Sequence, residues 1–146
     1  MSYTHEQIEQ AIAEWQKRLR MQDWEFRVSW DREPSEVSGI ENTWGSVYQV
    51  PGCKVAHICL AREHLDGGTP EQVSDTIAHE IIHMILEPLV DAADLALDGA
   101  SIERSMLIKK VLDNANEMAT YTLATAFSSA LPPPDCLLDE PLRVTE

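Results

Sequence analysis

The chain has 146 residues, room for one compact domain with a single core and too few for two ordinary ones. Its 44% hydrophobic content is that of a globular protein. Eleven Lys and Arg against 25 Asp and Glu leave a formal charge of −14, a surface that repels phosphate backbones and argues against direct nucleic-acid binding. There is no long apolar run to span a membrane, and "MSYTHEQIEQ" lacks the basic start and apolar stretch of a secretory signal, so a cytoplasmic protein is expected. Cys53, Cys59 and Cys136 form an odd set without a C-x-x-C pair, which predicts reduced thiols, at least one of them in a buried strand.

The first element opens with Thr4 and, three residues later, Gln7, the spacing of a capping box. Ile8, Ala11, Ile12, Trp15 and Leu19 recur at helical spacing, which predicts a helix from about Thr4 to Arg20. From Trp24 the period changes: Trp24, Phe26, Val28 and Trp30 alternate with polar residues, as in a half-buried strand. "DREPSEVSGIEN" reads as a loop, and "TWGSVYQV" as a second strand with Gly45 at a bulge. The turn at Pro51 and Gly52 leads into a third strand, Lys54 to Ala61, which forms a hairpin with the second.

"HLDGGTP" reads as a loop before a well-marked helix start, where Thr69 is the cap, Pro70 the first helical residue and Gln72 the capping-box partner. Pro88 is expected to end this helix at about Leu86, with a weakly helical connection after it. Ser101 to about Leu131 is a long helical stretch, and the proline-rich segment 132–146 is expected to be an extended or flexible tail. The predicted fold is α+β: an N-terminal helix, a three-stranded, mainly antiparallel sheet and two further helices, in one domain over residues 1–131.

Within the second long helix lies "DTIAHEIIHMI", residues 75–85. His79 and His83 stand about 40° apart around a helix and one turn along it, so both imidazoles reach one ion from a single face. Glu80 sits on the flank of that face, placed to hold a metal-bound water whose pKa the ion lowers, and to take its proton. The five-residue H-E-x-x-H pattern arises by chance at a low rate, but here it lies in a capped helix whose remaining residues are apolar almost all round. The bland alternative, core histidines satisfied by backbone carbonyls, explains the glutamate less well, because uncompensated buried polar groups are costly.

A zinc site of this kind needs a third protein ligand. No histidine follows His83, and Leu86 and Leu89 occupy the glycine and third-histidine positions of the extended H-E-x-x-H-x-x-G-x-x-H pattern. Glu87 continues the histidine face but lies near Pro88, and Asp91, Asp94 and Asp98 fall in the connection. Glu117 is the preferred ligand, an acid among Ala115, Met118, Ala119 and Leu123; the alternative is a solvated face that it shares with Asp113 and Thr120.

"DTIAHEIIHMILEPL" followed by "NEMATYTLATAFSSAL" resembles the small gluzincin-type metallopeptidases, including phage- and prophage-encoded ones. The element order is similar to that of the ImmA/IrrE-type and SprT-like minimal zincins over roughly residues 4 to 130, though only the two helical motifs are specific. The resemblance implies a minimal zincin-like fold with an active-site helix and a glutamate-bearing helix, one zinc ion held by His79, His83 and Glu117, and Glu80 as general base. It departs from the SprT-like pattern, whose third histidine this chain lacks. It also implies a peptide or protein substrate lying along the strand before the active-site helix, here "KVAHICLA". His57 in that strand is either an oxyanion partner or an ordinary strand histidine. Asp75 is either a carboxylate orienting His79 or a first-turn acid, and Tyr121 is an open case for transition-state help. His5 and His64 read as surface residues. The expected function is zinc-dependent peptide hydrolysis; the alternative is a zinc-containing binding or regulatory module without catalysis.

Overall fold

A computed structural model describes residues 2–31, 33–38 and 43–138. Helix α1, His5–Arg18, starts at the predicted capping box: the Gln7 N–H donates to Thr4 Oγ1 at 3.2 Å and the Thr4 N–H to Gln7 Oε1 at 3.0 Å. Its apolar stripe, Ile8, Ala11, Ile12 and Trp15, is buried. Strand β1, Glu25–Ser29, follows, and then the region expected to be loop holds a short helix α2, Pro34–Ser38, with proline in its first turn.

Strands β2, Gly45–Gln49, and β3, Val55–Leu60, form the expected hairpin around the turn where Gly52 takes φ +78°. The sheet is not mainly antiparallel. Its order is β1-β3-β2, with β1 parallel to β3 and β2 antiparallel to it, one ladder of each kind. β3 is the central strand, paired on both sides, and Ala56, Ile58, Cys59 and Leu60 are buried across both its faces. Gly45 does not sit at a bulge; it pairs in register with Leu60.

The segment 62–69 is likewise more ordered than expected: Arg62–Gly67 forms helix α3. Helix α4, Pro70–Ala96, begins at a second intact capping box on Thr69 and Gln72. It buries Val73, Ile77, Ala78, Ile81 and Met84 in the core shared with the sheet and α1, and Ile82 is buried as well. The Trp15 Nε1–H donates to Ser74 Oγ at 3.0 Å and fixes the register of α1 on α4.

Pro88 does not stop α4, which continues two turns beyond it. A mid-helix proline removes one backbone hydrogen bond and costs about 3 kcal/mol in isolation. Helix α5, Ile102–Ala130, capped by Ser101, packs along the length of α4 and offsets that cost with tertiary contact. The chain after 131 also departs from expectation. Helix α6, Asp135–Leu138, packs on α1, and Leu137 enters the core. Gln7 Nε2–H donates to the Cys136 carbonyl at 3.0 Å, and the Arg18 guanidinium to the Pro132 carbonyl at 2.7 Å. Residues 132–138 therefore belong to the body; the rest of the expected tail, 139–146, lies outside the described residues.

The result is a mixed α+β fold, with α1 and α4 on one face of a three-stranded sheet and α5 against α4. None of its described helices is long and apolar enough to cross a membrane. No disulfide joins Cys53, Cys59 and Cys136, and Cys59 is the one buried in a strand, as expected.

Candidate metal centre

α4 and α5 bring together the three side chains expected to be ligands. His79 and His83 face α5 one turn apart, and Glu117 reaches them from α5. The two Nε2 atoms lie 3.1 Å apart, Glu117 Oε1 lies 3.2 Å from His83 Nε2, and Glu117 Oε2 lies 3.6 Å from His79 Nε2. Among the described residues this is the group of three whose donor atoms all fall within 4.8 Å of one another.

These separations can be compared with a metal's requirements. With bonds of about 2.0–2.1 Å, the edge of a tetrahedron around zinc is about 3.4 Å. The three separations observed, 3.1, 3.2 and 3.6 Å, bracket that value. Two imidazoles and a carboxylate are also a donor set suited to zinc, and three protein ligands leave the fourth position open. The residues present fit the ion.

Electrostatics support the same reading. Glu117, about half exposed, is held well below the usual carboxylate range by hydrogen bonds from His79 and His83. Burial pulls the His79 imidazole down, but the hydrogen bond it donates to Glu117 and the charges of Glu80, Glu117 and Asp75 outweigh it and the net shift is upward. The group is thus a concentration of negative potential, an environment that favours a divalent cation.

Glu80 lines the same cleft, whose volume is about 470 Å³, and is only 4% exposed. Burial pushes its carboxyl up to about 7, partly offset by His83 and His79. The wall against Glu80 is the backbone of β2. A methyl group added at Gly45 would stand 2.8 Å from Glu80 Oε1 and 3.0 Å from Thr76 Cγ2, so the strand comes this close only without a side chain. Gly45→Ala is therefore expected to keep metal but displace the carboxylate, lowering any hydrolytic rate by about 10²-fold. Rate and metal content measured on one preparation check this, and a fully active alanine variant would contradict it.

The remaining expected residues fare differently. Asp75 lies one turn before His79 and adds to its negative surroundings, but no hydrogen bond joins it to the ring; its Oδ1 is buried without a partner among the described residues. Tyr121 is 65% exposed and does not line the cleft. His57 is on the sheet face turned away from α4, stacked on Tyr48 at 4.9 Å, because it alternates with the core residues Ala56 and Ile58. The structure brings neither Tyr121 nor His57 to the metal group. Glu87 lies at the rim of the cleft, its carboxyl raised by burial and by Asp91. Asp94 pairs with Lys109 at 3.8 Å.

Three further differences concern residues read otherwise from the sequence. β3 is the central strand, so the edge beside the cleft is β2, which contributes Gly45, Ser46 and Val47 to the lining. Thr120 is fully buried rather than part of a solvated face, and its Oγ1 lies 3.4 Å from His83 Nδ1, where it orients the ring from behind. Its signal was its position: three residues after Glu117, on the same side of the helix. His64 is 3% exposed rather than on the surface. Its Nε2 lies 2.9 Å from Thr76 Oγ1, and its ring meets Trp44 edge-on at 4.2 Å. His5 is exposed as expected, 3.3 Å from Glu9.

Compared with known proteins, the chain matches no family model, no curated sequence and no solved structure.

Proposed function

We propose that this protein is a zinc-dependent peptidase. The observation that carries the reading is the convergence of His79, His83 and Glu117 at tetrahedral-edge distances in a cleft that also holds the buried Glu80. The resemblance of the two helical motifs to minimal zincins points the same way. Zinc held by the three ligands would supply a Lewis acid that polarises a carbonyl and acidifies water.

The protein's own groups would do the rest. Glu80, poised near neutrality, accepts a proton from the attacking water and returns it to the departing amine. Thr120 keeps His83 oriented. Among the described residues β2 pairs only with β3, so its other edge would offer main-chain donors and acceptors to an extended chain. That edge runs along the cleft through Gly45 and Val47, which favours a peptide over a compact small molecule.

The test is incubation of the zinc-loaded protein with a diverse peptide mixture, read by mass spectrometry. Cleavage that a chelator abolishes and zinc restores is expected. A mixture left intact by the loaded protein would contradict the proposal.

A further inference from the structure

A second cavity, of about 390 Å³, adjoins the metal cleft. Two pieces of chain line both: α2 gives Ser35 to this cavity and Ser38 to the cleft, and Thr43 belongs to the two together. Beyond Thr43, Trp44 lines the second cavity and its neighbour Gly45 lines the cleft. The same short step separates them along α4. His64, in the wall of the second cavity, meets Thr76, which lies one helical turn, about 5 Å, before Glu80.

The side chains around this cavity share one chemical preference. Glu33 and Glu63 line it, both exposed, and neither carboxylate has an ion-pair or hydrogen-bond partner among the described residues. No lysine or arginine is among the described residues that line it. Trp44 is 53% exposed, and its ring is held edge-on against His64 at 4.2 Å, so half of a fixed indole stays open. An open indole face attracts cations.

His64 adds an acceptor. The Thr76 hydroxyl donates to the Gln72 carbonyl at 3.0 Å, so toward His64 it accepts, and His64 Nε2 carries the ring proton. Nδ1 is left as a bare acceptor, buried and without a partner among the described residues, and burial keeps the ring neutral. A buried acceptor in a cavity wall calls for a donor. Two carboxylates, an indole and a neutral imidazole together favour a positively charged donor. A guanidinium suits them best, because its plane stacks on an aromatic ring while its N–H groups reach several acceptors.

The free edge of β2 leads from one cavity to the other. An extended chain advances about 3.3 Å per residue, so a peptide laid along Gly45 and Val47 carries a side chain to Trp44 within about two residues of the metal group. We propose that this second cavity is a subsite for a basic side chain, arginine foremost, of a peptide lying along β2. The proposal rests on the peptidase reading for the kind of molecule that enters.

Blocked alanine hexapeptides carrying one arginine at each position in turn, and the same set with citrulline, test it. Citrulline keeps the shape of arginine and loses its charge. Zinc-loaded wild type is titrated with each peptide by NMR, which gives affinity, and mass spectrometry of the same samples gives cleavage. At a preferred position arginine is expected to bind about tenfold more tightly than citrulline and to shift the Trp44 indole resonance. Glu33→Gln combined with Glu63→Gln is expected to bring arginine down to the citrulline level. Both side chains are exposed and unpaired among the described residues, so the double variant is expected to fold, which circular dichroism checks. An arginine preference with every peptide left intact would uphold the subsite and sink the peptidase reading. Cleavage with arginine and citrulline bound alike would overturn the subsite and leave the peptidase. Binding of neither set would overturn it too, as would an arginine preference that survives in the folded double variant.

Discussion

On the proposed peptidase reading, Glu80→Gln is expected to lower peptide hydrolysis by about 10²–10⁴-fold and to leave metal binding intact. Glutamine keeps the shape of the side chain and its contact with Gly45, so His79, His83 and Glu117 are undisturbed. What disappears is the one group in the cleft that is both buried and poised near neutrality to exchange a proton. Steady-state kinetics beside metal analysis on the same samples decide the matter. A variant that hydrolyses as fast as the wild type would remove Glu80 from the reaction. A zinc-loaded wild type and a zinc-loaded variant that are equally inert would favour the binding-module reading.

The same substitution makes the metal-free protein more stable, and increasingly so as pH rises. Glu80 titrates at about 7 in the fold, above its ordinary 4.5, because burial disfavours its charged form. Between those values the folded state holds a proton that the unfolded state has lost, so stability falls with pH and the full penalty is reached above 7. At about 1.4 kcal/mol per pH unit the penalty is about 3 kcal/mol. His79, raised, adds stability below its unfolded value that is lost as pH rises through the folded one. Glu117, depressed, adds stability above its unfolded value that is lost in acid. His64, lowered mainly by its burial, favours the fold as pH rises. Comparing wild type with Glu80→Gln cancels the His64 contribution, while His79 loses in the variant the part of its upward shift that the Glu80 charge supplies. Chemical denaturation with chelator present, from pH 4.5 to 8, is expected to show a difference that opens by about 3 kcal/mol and that zinc narrows. A constant difference would mean that Glu80 titrates normally in the fold.

What the sequence made legible was local. Both capping boxes are contained in four residues, so Thr4 with Gln7 and Thr69 with Gln72 announced their helices without help from the rest of the chain. The i, i+4 placement of His79 and His83 is equally a property of one helix. Glu117 was harder, since it lies on another helix, but an acid in an otherwise apolar stretch implies a partner, and His79 and His83 stand beside it.

Features that depend on tertiary contact were not legible. The run VAHICL suits an edge or a centre equally well by composition, and only pairing with β1 shows that β3 is central. α4 outlasts Pro88 because α5 packs alongside it, and Leu137 is drawn into the core although the prolines around it have no period. Gly45 read as a strand irregularity, when its reason is a carboxylate 35 positions further along the chain, Glu80. His57 and Tyr121 were plausible by distance along the sequence, but the strand's alternation and the helix's turn carry both side chains away from the cleft.

The central claim is that His79, His83 and Glu117 together hold one metal ion, and metal content per chain tests it most directly. Wild type and Glu117→Ala, purified side by side, stripped and reloaded with limiting zinc, are compared by inductively coupled plasma mass spectrometry. About one zinc per wild-type chain and a sharply reduced content in the variant are the predicted result. Equal zinc in both would detach Glu117 from the site and turn attention to Glu87 at the rim of the cleft. No zinc in either would contradict the metal centre and leave two histidines and a glutamate joined only by hydrogen bonds.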